Sequence, residues 1–377
     1  MALGIYVHIP FCQARCHYCD FVSFAGKSGQ EKEAYLQALV KESEIYARLW
    51  AGLTGKSLYL GGGTPTCLTE EQLGQLFTVL HDLFQLPAGI EITVEANPGT
   101  LSGEKLSLLR EVGCNRLSLG IQSFSAHELQ VLGRIHSPQD VYNTYKLARQ
   151  AGFENINLDL MYGLPGQSLP SWRETLHKAV ELNPEHLSLY QLNLEKGTPF
   201  AELVQKGLLE EFNQDEAFGM YAEAIDFLAA RGYQHYEISN FALPGKEAVH
   251  NCGYWLNEEY LGLGAGAAGY LQGVRYINEA KLEAYQTLLT QGQLPVAEKE
   301  IINKEAAMAE TMFLGLRLLR GVKKTEFLGK HGITIENRYQ EVLAKLKRQG
   351  LLRETRSHVA LTKKGVFVAN EVFREFL

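Results

Sequence analysis

The chain has 377 residues, 46% of them hydrophobic and 21% charged, which suits a main globular domain with an appendage and excludes a disordered or fibrous protein. A formal net charge of −7 argues against a nucleic-acid binder, and six cysteines are too few for a disulfide scaffold. No apolar run approaches the ~18 residues of a membrane span, and the N-terminus reads as a strand instead of a signal peptide, so a cytoplasmic protein without a membrane anchor is expected.

Short β-rich runs alternate with amphipathic stretches through most of the chain. The pattern predicts strands at 4–9, 57–60, 91–95, 116–121, 155–160, 186–192 and 234–238. Between them it predicts helices at 31–49, 69–84, 104–112, 138–151, 170–182 and 215–231. Parallel neighbours need helical crossovers, so this alternation predicts an α/β fold, a partial (β/α)6-type barrel over residues 1–240. Residues 241–300 turn aromatic and glycine-rich and read as a connecting segment. Residues 301–377 read as helices, a short β pair and a last helix, a mainly α, winged-helix-like C-terminal domain. That tail carries 15 Lys/Arg against 8 Asp/Glu, on a body with 21 against 35. In isolation its pattern would suggest DNA binding.

Residues capable of chemistry sit just after the strands, where barrels place their sites. The cysteines follow the first strand, Gly61-Gly62-Gly63 the second, and Glu95 ends the third. Cys12-x3-Cys16-x2-Cys19 puts three thiolates on one short loop, soft ligands suited to zinc or to an iron–sulfur cluster. A zinc site would need His17 or His8 as fourth ligand and usually a second, distant half, which the sequence lacks. On a four-iron cluster, three cysteines leave one iron open to another ligand. Cys67 and Cys114 read as small buried hydrophobes.

The run Tyr6-Val-His-Ile-Pro-Phe-Cys12-x3-Cys16-x-Tyr18-Cys19 resembles the opening of the oxygen-independent coproporphyrinogen oxidase and HemW group of the radical SAM superfamily. Gly61 to Thr66, Val94 to Pro98, Leu119 to Phe124, Gly133-Arg134 and Asn157 to Gly166 are similar to further motifs of that group, in order. The resemblance implies a [4Fe–4S] cluster on Cys12, Cys16 and Cys19 whose open iron chelates S-adenosylmethionine. An electron passed through the cluster then splits the sulfonium into methionine and a 5′-deoxyadenosyl radical. It further implies that Tyr6, Gly63, Thr64, Glu95, Gln122, Arg134 and Asp159 contact S-adenosylmethionine. Acids suit its ammonium or ribose hydroxyls, and Arg suits its carboxylate.

Within the group, the oxidases carry a fourth cysteine two places after the third and an extension ahead of the first strand. Here Phe21 holds that place and five residues precede Tyr6, as in the HemW members. His250-Asn251-Cys252-Gly253-Tyr254-Trp255 resembles their HNxxYW motif, associated with heme binding, and makes His250 the candidate heme residue. From residue types alone, a core histidine with two packing aromatics is the simpler reading. Gly264-Ala-Gly266-Ala-Ala-Gly269 fits GxGxxG but lacks the strand–turn–helix context of a dinucleotide site. It is similar instead to a segment in which many members carry histidine at the place of Ala268. The resemblance therefore implies a radical SAM heme chaperone with heme as ligand. Its partners would be heme-accepting proteins, respiratory ones among them, and an electron donor, with no nucleic acid; a homodimer is compatible with the sequence. The alternative is a coproporphyrinogen III dehydrogenase that decarboxylates propionates, and a third reading is a radical SAM enzyme for another substrate.

Overall fold

A computed structural model describes residues 2–209 and 212–377. Six parallel strands form the centre: β1 (Ala2–Ile9), β2 (Thr54–Gly62), β3 (Glu91–Ala96), β4 (Arg116–Gln122), β5 (Ile156–Tyr162) and β6 (His186–Gln191). The long helices between them are α1 (Gly29–Leu49), α2 (Glu70–Phe84), α3 (Gly103–Glu111), α4 (Pro138–Gln150) and α5 (Leu169–Glu181), and α6 (Gln214–Ala229) follows β6; two short helices, Ala126–Val131 and Pro199–Gln205, lie in the connections. Sequence fixes where they start. Ser28 with Glu31, Thr69 with Gln72 and Ser137 with Asp140 form reciprocal capping boxes, each worth about 1 kcal/mol.

Strand alternation separates the two faces. Ile5, Val7, Leu58, Leu60, Val94 and Leu117 point outward and are fully buried under the helices. The opposite phase lines the interior with polar groups. Tyr6 lies opposite Tyr59, Glu95 opposite Ser118, and Gly120 opposite Asp159. A polar-lined interior under an apolar jacket is what a barrel that binds a ligand inside requires.

Past β6 the parallel run ends: β7 (Gln234–Glu237) and β8 (Asn240–Ala242) add antiparallel strands. Residues 241–300, expected to connect two domains, extend the same sheet from its other edge. After α7 (Val249–Trp255), β9 (Tyr260–Leu263) pairs in parallel with β1. Then β10 (Ala268–Leu271), β11 (Val274–Asn278) and β12 (Val296–Ile301) follow as an antiparallel meander, with α8 (Leu282–Thr290) inserted. The full order is β12-β11-β10-β9-β1-β2-β3-β4-β5-β6-β8-β7. These added strands are short, and most of β12 is exposed, so their local pattern is weak.

The tail folds as expected of a winged helix. It comprises α9 (Lys304–Gly315), β13 (Val322–Lys323), α10 (Lys324–His331), α11 (Ile335–Arg348), β14 (Leu352–Glu354), β15 (His358–Leu361), α12 (Lys363–Phe367) and α13 (Ala369–Arg374). Its three strands order as β13-β15-β14. Several of its cations are paired: Lys324 with Glu336 and Glu354, Lys347 with Glu354, and Lys345 with Glu375. Helix α9 packs on α7, which joins the tail to the barrel.

Candidate functional site

The loop after β1 and the C-terminal ends of β2 to β6 enclose a cavity of about 340 Å³. Cys12, Cys16 and Cys19 line it. So do Gly63 and Thr64 after β2, Glu95 in β3, Gln122 ending β4, Arg134 in the loop beyond, and Asp159 in β5.

A chain of hydrogen bonds ties these groups to the sulfurs. Arg134 Nη2 donates to Asn97 Oδ1 at 2.6 Å, Asn97 Nδ2 to Thr64 Oγ1 at 2.8 Å, and Thr64 Oγ1 to Cys12 Sγ at 3.7 Å. Arg134 Nη1 also reaches Cys16 Sγ at 3.3 Å, while its buried Nε has no partner among the described residues. Burial pushes the Cys12 thiol up to about 11, against the pull of the Thr64 hydroxyl. Thiols held neutral in this way become ligands only beside a strong positive charge such as iron supplies. Of the two alternative zinc ligands, His8 has both ring nitrogens engaged and His17 has one. His8 bonds Tyr6 OH at 2.9 Å and Val22 O at 2.7 Å, and His17 Nδ1 bonds Val131 O at 2.9 Å. Among the described residues no three His, Cys, Asp or Glu groups gather to hold a single metal ion.

The glycines answer a need for close approach. A Cβ on Gly63 would lie 2.8 Å from the Phe11 carbonyl oxygen, and Gly62, at φ +109°, has the His8 ring where its Cβ would be. The Gly62 amide thereby donates to Glu95 Oε2 at 3.1 Å, and Tyr59 OH donates to Oε1 at 2.7 Å. Burial pushes the Glu95 carboxyl up to about 7. Asp159 accepts from Asn157 Nδ2 at 2.8 Å and Ser118 Oγ at 3.2 Å, and burial raises it too. Gln122 sits at φ +64° beside a register shift in β4, a left-handed conformation that a non-glycine residue holds only under constraint. The cavity thus offers two acids, a guanidinium, an amide and open backbone around the sulfurs, a donor set that fits an amino-acid cofactor.

Two expected residues lie apart. Tyr6 faces a neighbouring cleft instead of this cavity. His250 is 3% exposed at the opposite, N-terminal end of the strands, against Gly4 of β1. Its Nδ1 bonds Ser57 Oγ at 2.8 Å and its Nε2 bonds Tyr254 OH at 2.8 Å. Burial pushes it down to about 3, so the ring is neutral with both nitrogens engaged. From the same helix Asn251 reaches the main cavity. Sequence reasoning also passed over Tyr59 and Arg116; the period-two alternation of β2 and β4 could have placed both on the inner face. Arg116 is 2% exposed and its Nε has no partner among the described residues. Cys114 is buried as expected, whereas Cys67 is half-buried and borders a small recess with Cys16 and Thr64.

The profile of the radical SAM superfamily matches residues 6–179, and that of the HemN C-terminal domain matches residues 302–368. The solved structure of coproporphyrinogen III oxidase (HemN) from Escherichia coli, described as a radical SAM enzyme, shares the fold with a TM-score of 0.88 at 27% identity, over 100% of this chain and 90% of that one. Fold and sequence together define a radical SAM protein, a class that implies a [4Fe–4S] cluster and S-adenosylmethionine. The chain is 42% identical to the heme chaperone HemW of Bacillus subtilis over 99% of its own length and 98% of that protein. It is 34% identical to the heme chaperone HemW of Escherichia coli K12 over 100% and 98%. It belongs to the HemW family.

Proposed function

We propose that this protein binds heme and delivers it to acceptor proteins, with Cys12, Cys16 and Cys19 holding the cluster and the cavity around them holding S-adenosylmethionine. End-to-end similarity to proteins named heme chaperones carries the reading. When bound, the cluster and S-adenosylmethionine supply one-electron chemistry. The chain's own residues bind and orient them. Gly63 lets the backbone after β2 close on Ile9 and Phe11 next to the cysteine loop, Thr64 and Arg134 donate to the sulfurs, and Glu95, Asp159 and Gln122 present polar atoms to ammonium and ribose groups. His250 and the rest of its motif form the heme element. Among the described residues no helix is long and apolar enough to cross a membrane. The reading places the protein in the cytoplasm, with an electron donor and heme-accepting apoproteins as partners.

The oxidase alternative meets an obstacle at Phe21, which is 61% exposed at the cavity where a fourth cysteine would be needed. Anaerobically reconstituted protein is expected to take up heme near stoichiometrically, followed by its Soret band, and to yield it to an apoprotein. Absence of uptake, or conversion of coproporphyrinogen to protoporphyrinogen by the same preparation, overturns the reading.

A further inference from the structure

The HNxxYW helix sends Asn251 to the cluster cavity and divides His250, Tyr254 and Trp255 between two other places. His250 points into the barrel floor and is tied on both nitrogens, to Ser57 and to Tyr254. One helical turn on, Tyr254 receives that bond, and its ring meets Tyr260 of β9 edge-on at 4.6 Å. Tyr254 and Trp255 then form one side of a cleft of about 490 Å³. Tyr260 and Tyr270 of the added strands form a second side, and Phe313 and Leu314 of α9 form the third. Trp255 is fixed by the Arg317 guanidinium over its ring at 4.3 Å.

We infer that this cleft between β9, β10 and α9 receives the face of the heme ring, and that His250 is a positioning residue which sets Tyr254 and gives no ligand to the iron. The inference rests on the heme-binding reading above. Three kinds of observation favour a flat apolar macrocycle with acidic arms as the occupant. The volume lies within the range of small-molecule sites. Aromatic rings stand on two of the three sides and a Phe on the third, surfaces that pack on a π-system. Arg275 borders the cleft, with Nη2 anchored on Glu310 at 2.8 Å and Nη1 only loosely met by the exposed Glu300 at 3.4 Å. A propionate can take the place of Glu300 there. His250, by contrast, could reach iron only by giving up Ser57 or Tyr254 and leaving a buried partner unsatisfied.

The test fills the cleft. Ala268 of β10 borders it and lies outside the cluster cavity, so Ala268→Phe should weaken heme uptake by the reconstituted protein on the order of tenfold or more while S-adenosylmethionine binding stays. Leu314→Trp, from the opposite side, should do the same; circular dichroism melts identify a variant that has simply unfolded. His250→Gln, which can still bond Tyr254, should bind heme with the wild-type Soret position. Heme uptake by both filled variants equal to wild type overturns the cleft and leaves the heme-binding reading standing. A shifted Soret band in folded His250→Gln makes the imidazole an iron ligand and overturns the positioning role. Failure of the wild-type protein itself to bind heme overturns the reading on which both depend.

Discussion

At the scale of single residues, the site depends on positions where a side chain has no room. Gly62 is the sharpest case. Its φ of +109° excludes ordinary residues, and its missing Cβ is replaced by the His8 ring. That ring cannot swing away, because Tyr6 OH and the Val22 carbonyl hold its two nitrogens. Gly62→Ala must therefore move the backbone, and the Gly62 amide with it, away from Glu95. We expect a loss of about 2–3 kcal/mol in urea unfolding together with weakened S-adenosylmethionine binding. Unchanged midpoint and affinity would show that the loop has slack the structure does not display. The glycines were legible as a motif, but the reasons for them were not. Gly62 serves a histidine eight positions into the chain, and Gly264 serves Tyr35 and the His8 carbonyl, distances no local pattern encodes.

At the scale of elements, the sheet extension depends on a carboxylate. Glu42 of α1 is fully buried and accepts from Gly264 N at 2.7 Å, Asn278 Nδ2 at 2.6 Å and Tyr285 OH at 2.6 Å. It thereby clamps the GxGxxG turn, β11 and α8 to the barrel. Burial pushes it up to about 7 from 4.5. The folded state therefore keeps its proton longer than the unfolded chain, so its contribution is complete below pH 4.5 and declines as pH rises to about 7, by on the order of 3 kcal/mol. Glu42→Gln, which mimics the protonated acid, should flatten that part of the stability–pH curve, and Glu42→Ala should cost about 3 kcal/mol by orphaning three donors. Parallel curves for wild type and Glu42→Gln would remove the acid from this role. The same clamp explains why residues 241–300 read as a connector. Their strands owe their existence to β1 and α1, more than 200 positions away in the chain, while β1 to β6 carried their own alternation and could be read directly.

At the scale of the whole molecule, polar groups in the barrel interior set how the protein responds to acid. The proposed cluster residues could be named from sequence because they share one loop after β1, and the proposed cofactor residues because they lie in or just beyond β2 to β5 in order along the chain. The floor beneath them could not, because it is assembled from β1, β2, β5 and α7 by packing alone. Buried imidazoles are held neutral there and at the other end of the barrel: burial pushes His250 down to about 3, His235 to about 4 and His186 well below 6.5, and it pushes His136, on the loop beyond β4 beside Arg134, to about 4. Each folded pKa lies below the ordinary 6.5, so the unfolded chain binds these protons first. The stability they confer is full above pH 6.5 and is lost as pH falls, at up to about 1.4 kcal/mol per pH unit for each. Glu42 and Glu95, raised to about 7, and Asp159 and Glu237, also raised by burial, act in the opposite sense and offset part of the loss, while burial lowers His8 together with the other four imidazoles. The histidines prevail by number. Urea midpoints should therefore be highest near neutrality and fall steeply below pH 6, with His250→Gln, which has no proton to gain, showing a shallower fall than wild type. A midpoint constant from pH 7 to 4.5 would mean that these histidines carry protons in the folded state, and that a neutral His250 ring, donating to one of Ser57 and Tyr254 and accepting from the other, is not what holds α7 in place.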